Sequence, residues 1–473
     1  MWWLLIAVVW LYGLYLAWRV VHEGRTSQGS LCWIITLILV PPIAIPLFWL
    51  MGDRRLEGYI RARRSGFRKL DVQLRAMHNA LGRSKVEPDD EGLRVLAKLA
   101  KLPWTKGNTA KHFDNADEMY DALIESIDGS LTTIQMQFYI YRDDDIGHRV
   151  RDALIRARAR GVSVWLMYDE IGCAGTPKAY FESLKQAGVN VSGFRTVPSR
   201  RRLLRLNFRN HRKLVVIDGS TVFFGGMNVG CEYCGRDEAI GLWRDTHAKA
   251  TGPVALAGQM IFLEDWYWAQ RTVPKEFVWE VSKHAQADDE RRVDAMLLYP
   301  SGPIDDRESG LKLFLQLIAE ADKRLWIATP YFVCDEAVMH AIELAKLRGV
   351  DVRILVPATP DSFLVKHAAS SFISEAIANG IAVYHYTRGF THQKVIFCDD
   401  LVSIGSANVD HRSMILNFEL TGLVSDGKFA ASVARMLETD MRRAARLPDA
   451  WWKELGAWHR FQARLARLIG PML

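Results

Sequence analysis

Little in the sequence is arranged to cross-link the chain or to hold a metal ion. Its 473 residues include six cysteines, Cys32, Cys173, Cys231, Cys234, Cys334 and Cys398, scattered through apolar or turn contexts. A disulfide scaffold needs dense, regularly spaced cysteines, so that class is excluded and the thiols read as reduced, on a cytosolic side. Cys231-Glu-Tyr-Cys234 has the C-x-x-C spacing, but no second cysteine pair and no nearby histidine pair completes a zinc site. Charge is absent from residues 2–18 and 31–51, runs of 17 and 21 residues. The first run lacks a basic leader and a small-residue cleavage site, which argues against a cleaved signal peptide.

What is present begins with those two runs. As helices they would reach roughly 26 and 31 Å, against a hydrocarbon core of about 30 Å. Trp2, Trp3, Trp18, Trp33 and Trp49 sit near their ends, as interfacial anchors do. Pro41, Pro42 and Pro46 would kink the second helix or make it re-entrant. Residues 19–30 hold two Lys/Arg and residues 54–69 hold seven, so the basic side, with everything after residue 52, is expected to face the cytoplasm. Net charge is +7, which favours anionic partners: nucleic acid or an acidic membrane surface.

The chain turns on His211-Arg-Lys213-Leu-Val-Val-Ile-Asp218, followed by Gly225-Gly226-Met-Asn228. The pattern recurs 181 residues later as His392-Gln-Lys394-Val-Ile-Phe-Cys-Asp399, followed by Gly405-Ser406-Ala-Asn408. Each copy reads as a strand, a turn and a second short strand, with His and Lys two apart on one face. Two imidazoles and two ammonium groups suit a phosphate diester. One histidine can attack phosphorus, the other can protonate the leaving oxygen, and Lys213, Lys394, Asn228 and Asn408 can hold the charged oxygens without metal or cofactor. A lone His-x-Lys would be surface decoration; two copies with the same downstream aspartate, glycine and asparagine are not.

A strand–helix–strand pattern also repeats, at 132–141, 147–159 and 162–168, then 325–332, 335–347 and 350–356. Ala159-Arg-Gly161-Val and Leu347-Arg-Gly349-Val mark the same helix-to-strand junction. The expected organisation is two membrane helices within 1–52, a basic juxtamembrane connector over 53–115, a first α/β half over 116–270 and a linker over 271–300. A second half follows over 301–435, then an amphipathic helix over 436–473. A pseudo-two-fold would bring both motifs to one site. Arg200-Arg-Arg-Leu-Leu-Arg-Leu-Asn-Phe-Arg209 mixes arginine with apolar residues, as a headgroup interface does; nucleic-acid binding and a solvated loop are its rival readings. In the C-terminal run, Trp451, Leu455, Trp458, Leu465 and Ile469 share a face opposite Lys453, Arg460, Arg464 and Arg467. Packing of that apolar face on the core is expected, with lying on a bilayer the alternative.

The paired H-x-K-x4-D motifs resemble those of the phospholipase D superfamily. Asn210-His211-Arg-Lys213, Gly241-Leu-Trp243-Arg244-Asp245-Thr-His247, Thr329-Pro330-Tyr331-Phe332, Asn408-Val-Asp410-His-Arg412-Ser413 and Asn417-Phe-Glu419 together resemble membrane-anchored bacterial cardiolipin synthases. Two departures stand out: five residues rather than six separate Asp399 from Gly405, and Gly226 stands where the second copy has Ser406. The resemblance implies an α/β fold of two pseudo-symmetric halves, mixed sheets flanked by helices, sharing one active site behind a transmembrane hairpin. It implies a multi-pass protein of the bacterial inner membrane that converts phosphatidylglycerol to cardiolipin, with no nucleic-acid partner. His211 would be the nucleophile and His392 the general acid, in motifs completed by Lys213, Lys394, Asp218 and Asp399. Glu419 would orient His211 and Asp245 would orient His392, each from the opposite half, while Asp218 and Asp399 brace the strands. A hydrolase and a membrane-bound phosphodiesterase or nuclease are the competing functions.

Overall fold

In the computed structural model of the chain, the described residues are 2–23, 27–49, 57–194, 209–236, 241, 243–277, 279–281, 292–303, 308–360, 362–468 and 470. The 200–208 part of the arginine-rich stretch lies outside them, as do Arg54, Arg55 and residues 282–291 of the linker. The chain divides into two compact units, one holding the N-terminal residues and the other Gly58–Arg195 with Arg209–Leu473.

Within the N-terminal unit, Trp2–Glu23 is a continuous helix, and Trp2–His22 is the one described helix long and apolar enough to cross a membrane. The second apolar run divides into helices Ser27–Leu39 and Pro41–Leu47, because proline disfavours helical geometry in the residue before it and Val40 breaks away at ψ 55°. Leu16, Ala17, Val20, Leu37, Ala44 and Phe48 pack into a small core. Gly13 permits a close approach there, since a Cβ would lie 2.6 Å from the Leu37 carbonyl oxygen.

The larger unit holds two mixed sheets. One has eight strands, in the order Arg292–Val293, Asn108–Phe113, His247–Thr251, Thr221–Gly225, Leu214–Ile217, Thr133–Phe138, Ser163–Asp169 and Asn190–Phe194. The other has ten, and its core repeats that order as Ala295–Ser301, Glu419–Ser425, Leu401–Gly405, Val395–Cys398, Arg324–Ala328, Asp351–Pro357 and Ala382–Tyr386. Three consecutive strands run parallel in each half, through right-sized helical crossovers, while the motif hairpin and its neighbour are antiparallel. The crossover helices Asp145–Ala159 and Glu336–Leu347 start on the capping side chains of Asp144 and Asp335. They stop at Gly161 and Gly349, at φ 94° and 92°, where the next valine amide bonds back to Ala157 and Ala345. That is the physical content of the repeated Arg-Gly-Val phrase.

The two sheets draw strands from across the expected boundaries. Asn108–Phe113, assigned to the connector, and Arg292–Val293, assigned to the linker, are strands of the first sheet. Ala295–Ser301 and the short strands Lys85–Val86 and Trp104–Thr105 belong to the second. At the C-terminus, helix Gly427–Arg442 spans the expected domain edge, and Ala444–Arg446 adds a last strand. The terminal run is not one helix: it breaks at Leu455-Gly456 into Trp451–Glu454 and Ala457–Leu468. Of its apolar face, Trp451 and Leu455 are half-buried, Ile469 lies outside the described residues, and Trp458 and Leu465 are exposed while the small Ala463 and Ala466 are buried instead.

The two sheets meet where Gly422 faces Phe224: a Cβ at Gly422 would lie 2.0 Å from the Phe224 ring. Phe224 is fully buried in a close-packed interior. Gly422→Ala is therefore expected to destabilise the unit by about 1–3 kcal/mol or more. A thermal unfolding midpoint below wild type, recovered in part by adding Phe224→Leu, is the measurement.

Candidate active site

Each histidine sits just before its motif strand rather than on it: the ladders begin at Leu214 and Val395. The reason lies in where the backbone bonds go. The His211 amide donates to the Phe418 carbonyl at 2.9 Å, and the His392 amide donates to the Arg244 carbonyl at 2.7 Å. Flanking these are a parallel bridge between Asn210 and Phe418 and a two-residue parallel pairing of Phe390–Thr391 with Trp243–Arg244. The acceptors Phe418 and Arg244 immediately precede Glu419 and Asp245. Each half thus stitches its histidine to the residue before the other half's carboxylate.

The side chains follow. His211 Nδ1 lies 3.0 Å from Glu419 Oε2, and His392 Nδ1 lies 2.7 Å from Asp245 Oδ2. Glu419 also accepts from Ser406 Oγ at 2.5 Å and Asn417 Nδ2 at 3.1 Å. The opposite half has no hydroxyl there because there is no room: a Cβ on Gly226 would meet Asp245 Oδ1 at 2.1 Å. The unequal loop lengths are absorbed at the far end. Asp218, Gly219 and Ser220 close the first hairpin, whereas Asp399 and Asp400 close the second, and Gly225 and Gly405 then pair equivalently with His247 and Thr421.

Asp218 and Asp399 lie at that far end, away from the histidines. Asp218 accepts from the amides of Leu131, Thr132 and Thr133, and Asp399 from those of Asp322, Lys323 and Arg324. They tie the motif hairpin to the starts of Thr133–Phe138 and Arg324–Ala328, so these members of the motif brace the sheet. Both take φ near 50°, at 51° and 52°, a turn conformation that aspartate tolerates better than most residues.

His211, His392, Asn228 and Asn408 all line one cavity of about 520 Å³. Lys213 Nζ donates to the His211 carbonyl at 2.7 Å. Lys394 Nζ lies 2.7 Å from His392 Nδ1 and 3.5 Å from Asp245 Oδ2. Asn228 donates to the Tyr233 hydroxyl at 2.7 Å, and Asn408 Nδ2 donates to Asp410 at 3.1 Å, leaving Asn408 Oδ1 without a partner among the described residues.

Sequence reasoning missed the aromatic walls. The Tyr139 ring stands edge-on to His211 at 5.0 Å, and Trp243 to His392 at 5.2 Å. Tyr233 approaches His392 at 6.2 Å and reaches Asn228. Trp243 adjoins Arg244-Asp245 in the sequence and was within reach of a reader; Tyr139 and Tyr233 carry no local signal. Two buried ion pairs were missed as well. Arg212 bonds Asp265 at 2.8 Å, and Arg244 bonds Asp440 at 2.8 Å, with Gln393 reaching Asp440 at 3.1 Å. In each half the residue after the histidine is thereby pinned to a helix.

Burial sets the charge states. It pushes the His211 imidazole down to about 4, Glu419 opposing and Lys213 reinforcing. It pushes His392 down to about 3, with Lys394 adding to the effect. Burial likewise lowers both lysines. For Asp245 burial acts upward but Lys394 and His392 outweigh it, and for Glu419 His211 and Lys213 do, so both carboxylates stay ionised. Both imidazoles are therefore neutral near pH 7. Diethyl pyrocarbonate attacks only neutral imidazole, so its rate of inactivation is expected to stay level from about pH 7 to about pH 5.5, where an ordinary histidine becomes protonated. A fall centred near 6.5 would contradict the buried, neutral state.

The family model for the cardiolipin synthase, phospholipase D-like domain matches the chain twice, over residues 123–251 and 314–441. Over 478 residues the chain is 38% identical to cardiolipin synthase A of Pseudomonas putida strain GB-1, covering 99% of this chain and 98% of that one. It is 39% identical over 480 residues to that of strain W619, with the same coverage of 99% and 98%. Among solved structures, phosphatidylserine synthase of Haemophilus influenzae Rd KW20 shares the fold with a TM-score of 0.62 at 17% identity, over 81% of this chain and 100% of the other. With two matching domains and relatives aligned from end to end, the chain belongs to the phospholipase D-like cardiolipin synthase family.

Proposed function

We propose that the chain is a cardiolipin synthase, a phosphatidyltransferase that moves a phosphatidyl group from one phosphatidylglycerol to another and releases glycerol. The observation that carries this reading is the pair of imidazoles lining one cavity, each with Nδ1 held by a carboxylate of the opposite half. That leaves Nε2 of each as the reacting nitrogen.

The surroundings of the two rings support unequal roles. Among the described residues His211 Nδ1 faces only acceptors, the Glu419 carboxylate and the Ser406 carbonyl at 3.1 Å, so it carries the proton and Nε2 keeps its lone pair. His392 Nδ1 faces Lys394 Nζ as well as Asp245, so a proton on its Nε2 is accommodated. In this reading His211 Nε2 bonds phosphorus while the phosphorus–glycerol oxygen bond breaks. His392, its proton affinity raised by the incoming phosphodiester anion, protonates that oxygen. A hydroxyl of the second phosphatidylglycerol then gives its proton to His392, bonds phosphorus and displaces His211. Lys213, Lys394, Asn228 and Asn408 hold the non-bridging oxygens through both steps.

The enzyme is placed in the bacterial inner membrane, multi-pass, with the catalytic unit on the cytoplasmic side, a reading supported by the apolar helix Trp2–Glu23 and the basic residues 54–69. Incubation with phosphatidylglycerol alone, read by lipid mass spectrometry, is expected to yield cardiolipin and glycerol. Phosphatidic acid as the main product would make the protein a hydrolase, and unchanged lipid would return it to the phosphodiesterases.

A further inference from the structure

The last long helix, Ala457–Leu468, turns its large apolar residues outward. Trp458, Phe461, Leu465 and Leu468 fall at i, i+3, i+7 and i+10, a single stripe, and are 68%, 55%, 56% and 77% exposed. The Trp458 and Phe461 rings stack at 5.5 Å. The inward face is made of small or polar groups, Ala463, Ala466 and His459, set against helix Phe363–Ala378. The His459 ring lies 4.6 Å from His367, its Nε2 lies 3.2 Å from Ser370 Oγ, and Arg467 pairs with Glu375 at 2.5 Å. The order of these contacts is the same along both helices, so the helices run parallel and begin at the same end.

At that end helix Phe363–Ala378 exposes two more apolar side chains, Phe363 at 65% and Leu364 at 46%, with the Phe363 ring 4.2 Å from His367. Ser362 and Val365, their immediate neighbours, line the cavity that holds the two histidines. The apolar patch and the cavity mouth are therefore continuous. Its charges have one dominant sign. Arg460 and Arg464 flank the apolar stripe and Lys366 lies in the first turn of the neighbouring helix, while Glu375 is already paired with Arg467. A monomeric soluble surface has no use for six large apolar side chains beside an active-site opening.

We propose that the exposed stripe of helix Ala457–Leu468 and the first turn of helix Phe363–Ala378 form a docking surface that seats the cavity mouth in the headgroup layer of an anionic phospholipid bilayer. Trp458, Phe461, Leu465, Leu468, Phe363 and Leu364 enter the acyl boundary, and the arginines meet the phosphates. The mixture of tryptophan, phenylalanine and leucine with a basic margin is the composition that partitions to an interface. This proposal rests on the reading that the substrate is a phospholipid, because a headgroup could then move from the bilayer into the cavity past Ser362 and Val365 without its acyl chains crossing water.

The full-length protein, reconstituted in vesicles of equal parts phosphatidylglycerol and phosphatidylcholine, provides the test. A benzophenone amino acid placed at position 461 or 468 is expected to cross-link to phospholipid on illumination. The same group at position 131, an 82% exposed leucine beside Asp218 at the far end of the motif strand, is expected not to. Cross-links to another protein, or no lipid adduct at 461 and 468, would overturn the proposal. In parallel, Trp458→Glu/Phe461→Glu is expected to lower the rate on bilayer phosphatidylglycerol at least about tenfold while leaving the rate on monomeric short-chain phosphatidylglycerol within about twofold. Equal loss on both substrates, or no loss on bilayers, would assign the stripe to packing or to nothing. Leu468→Glu, near the helix end, repeats the comparison should the double variant fail to fold. Lipid adducts at 461 or 468, together with a wild-type protein that turns over neither substrate, would count against the phospholipid chemistry, not against the docking surface.

Discussion

The His211→Ala variant is expected to form no labelled covalent enzyme from radiolabelled phosphatidylglycerol, and to lose activity on the order of 10⁴-fold or more, as removal of a covalent nucleophile does. The His392→Ala variant is expected to differ in kind. His211 and Glu419 remain in place at 3.0 Å, so the adduct can still form, more slowly, but no base takes the proton from the acceptor hydroxyl. The adduct should then persist long enough for acid quench and mass spectrometry to find it on residue 211. An adduct trapped on residue 392 in the His211→Ala protein would reverse the two roles. The near-symmetry of the fold makes that a serious competitor. What separates the rings is their Nδ1 neighbours: acceptors alone for His211, an acceptor and the Lys394 ammonium for His392. Lys394→Met removes that difference and, with it, the largest charge that lowers the His392 imidazole.

The sequence made the paired motifs, the duplicated halves and the repeated Arg-Gly-Val junction legible, because each is a local pattern met twice. The exchange of carboxylates was available only through resemblance. Its cause, the bridge from Asn210 to Phe418 and the pairing of Phe390–Thr391 with Trp243–Arg244, joins segments far apart in the chain and leaves no periodicity to read. For the same reason His211 passed for a strand residue, although its amide is committed to the other half. Ser406 against Gly226 stood only as a departure of one copy from the other. It is a steric consequence of where Asp245 and Glu419 enter. The terminal helix illustrates a different limit. Periodicity reveals that Trp458 and Leu465 share a face, but not whether protein or another medium covers it, and the two small alanines Ala463 and Ala466 were the residues that decided the packing.

Those cross-half contacts need a rigid anchor, and the second large effect is expected there. Arg212 is 1% exposed and donates four ways: Nη1 to Asp265 at 2.8 Å, Nε to the Glu419 carbonyl at 3.1 Å, Nη2 to the Ser301 carbonyl at 3.3 Å, and its amide to Asn210 Oδ1 at 3.2 Å. Asp265, 2% exposed, otherwise receives, among the described residues, the neutral amides of Gln137 at 2.9 Å and Asn210 at 3.3 Å. Arg212→Met would leave that carboxylate buried without a cation, which costs about 3–5 kcal/mol. Arg212→Met/Asp265→Leu removes the stranded charge as well and is expected to recover much of the unfolding midpoint, a coupling that a double-mutant cycle reads directly. Activity should not recover in step. Arg212 Nε also holds the backbone of Glu419, the residue that sets the His211 tautomer, so the double variant is expected to fold yet turn over poorly. Full activity in a stable double variant would mean that the position of Glu419 is fixed from elsewhere, by Ser406 and Asn417, and that the buried ion pair serves stability alone.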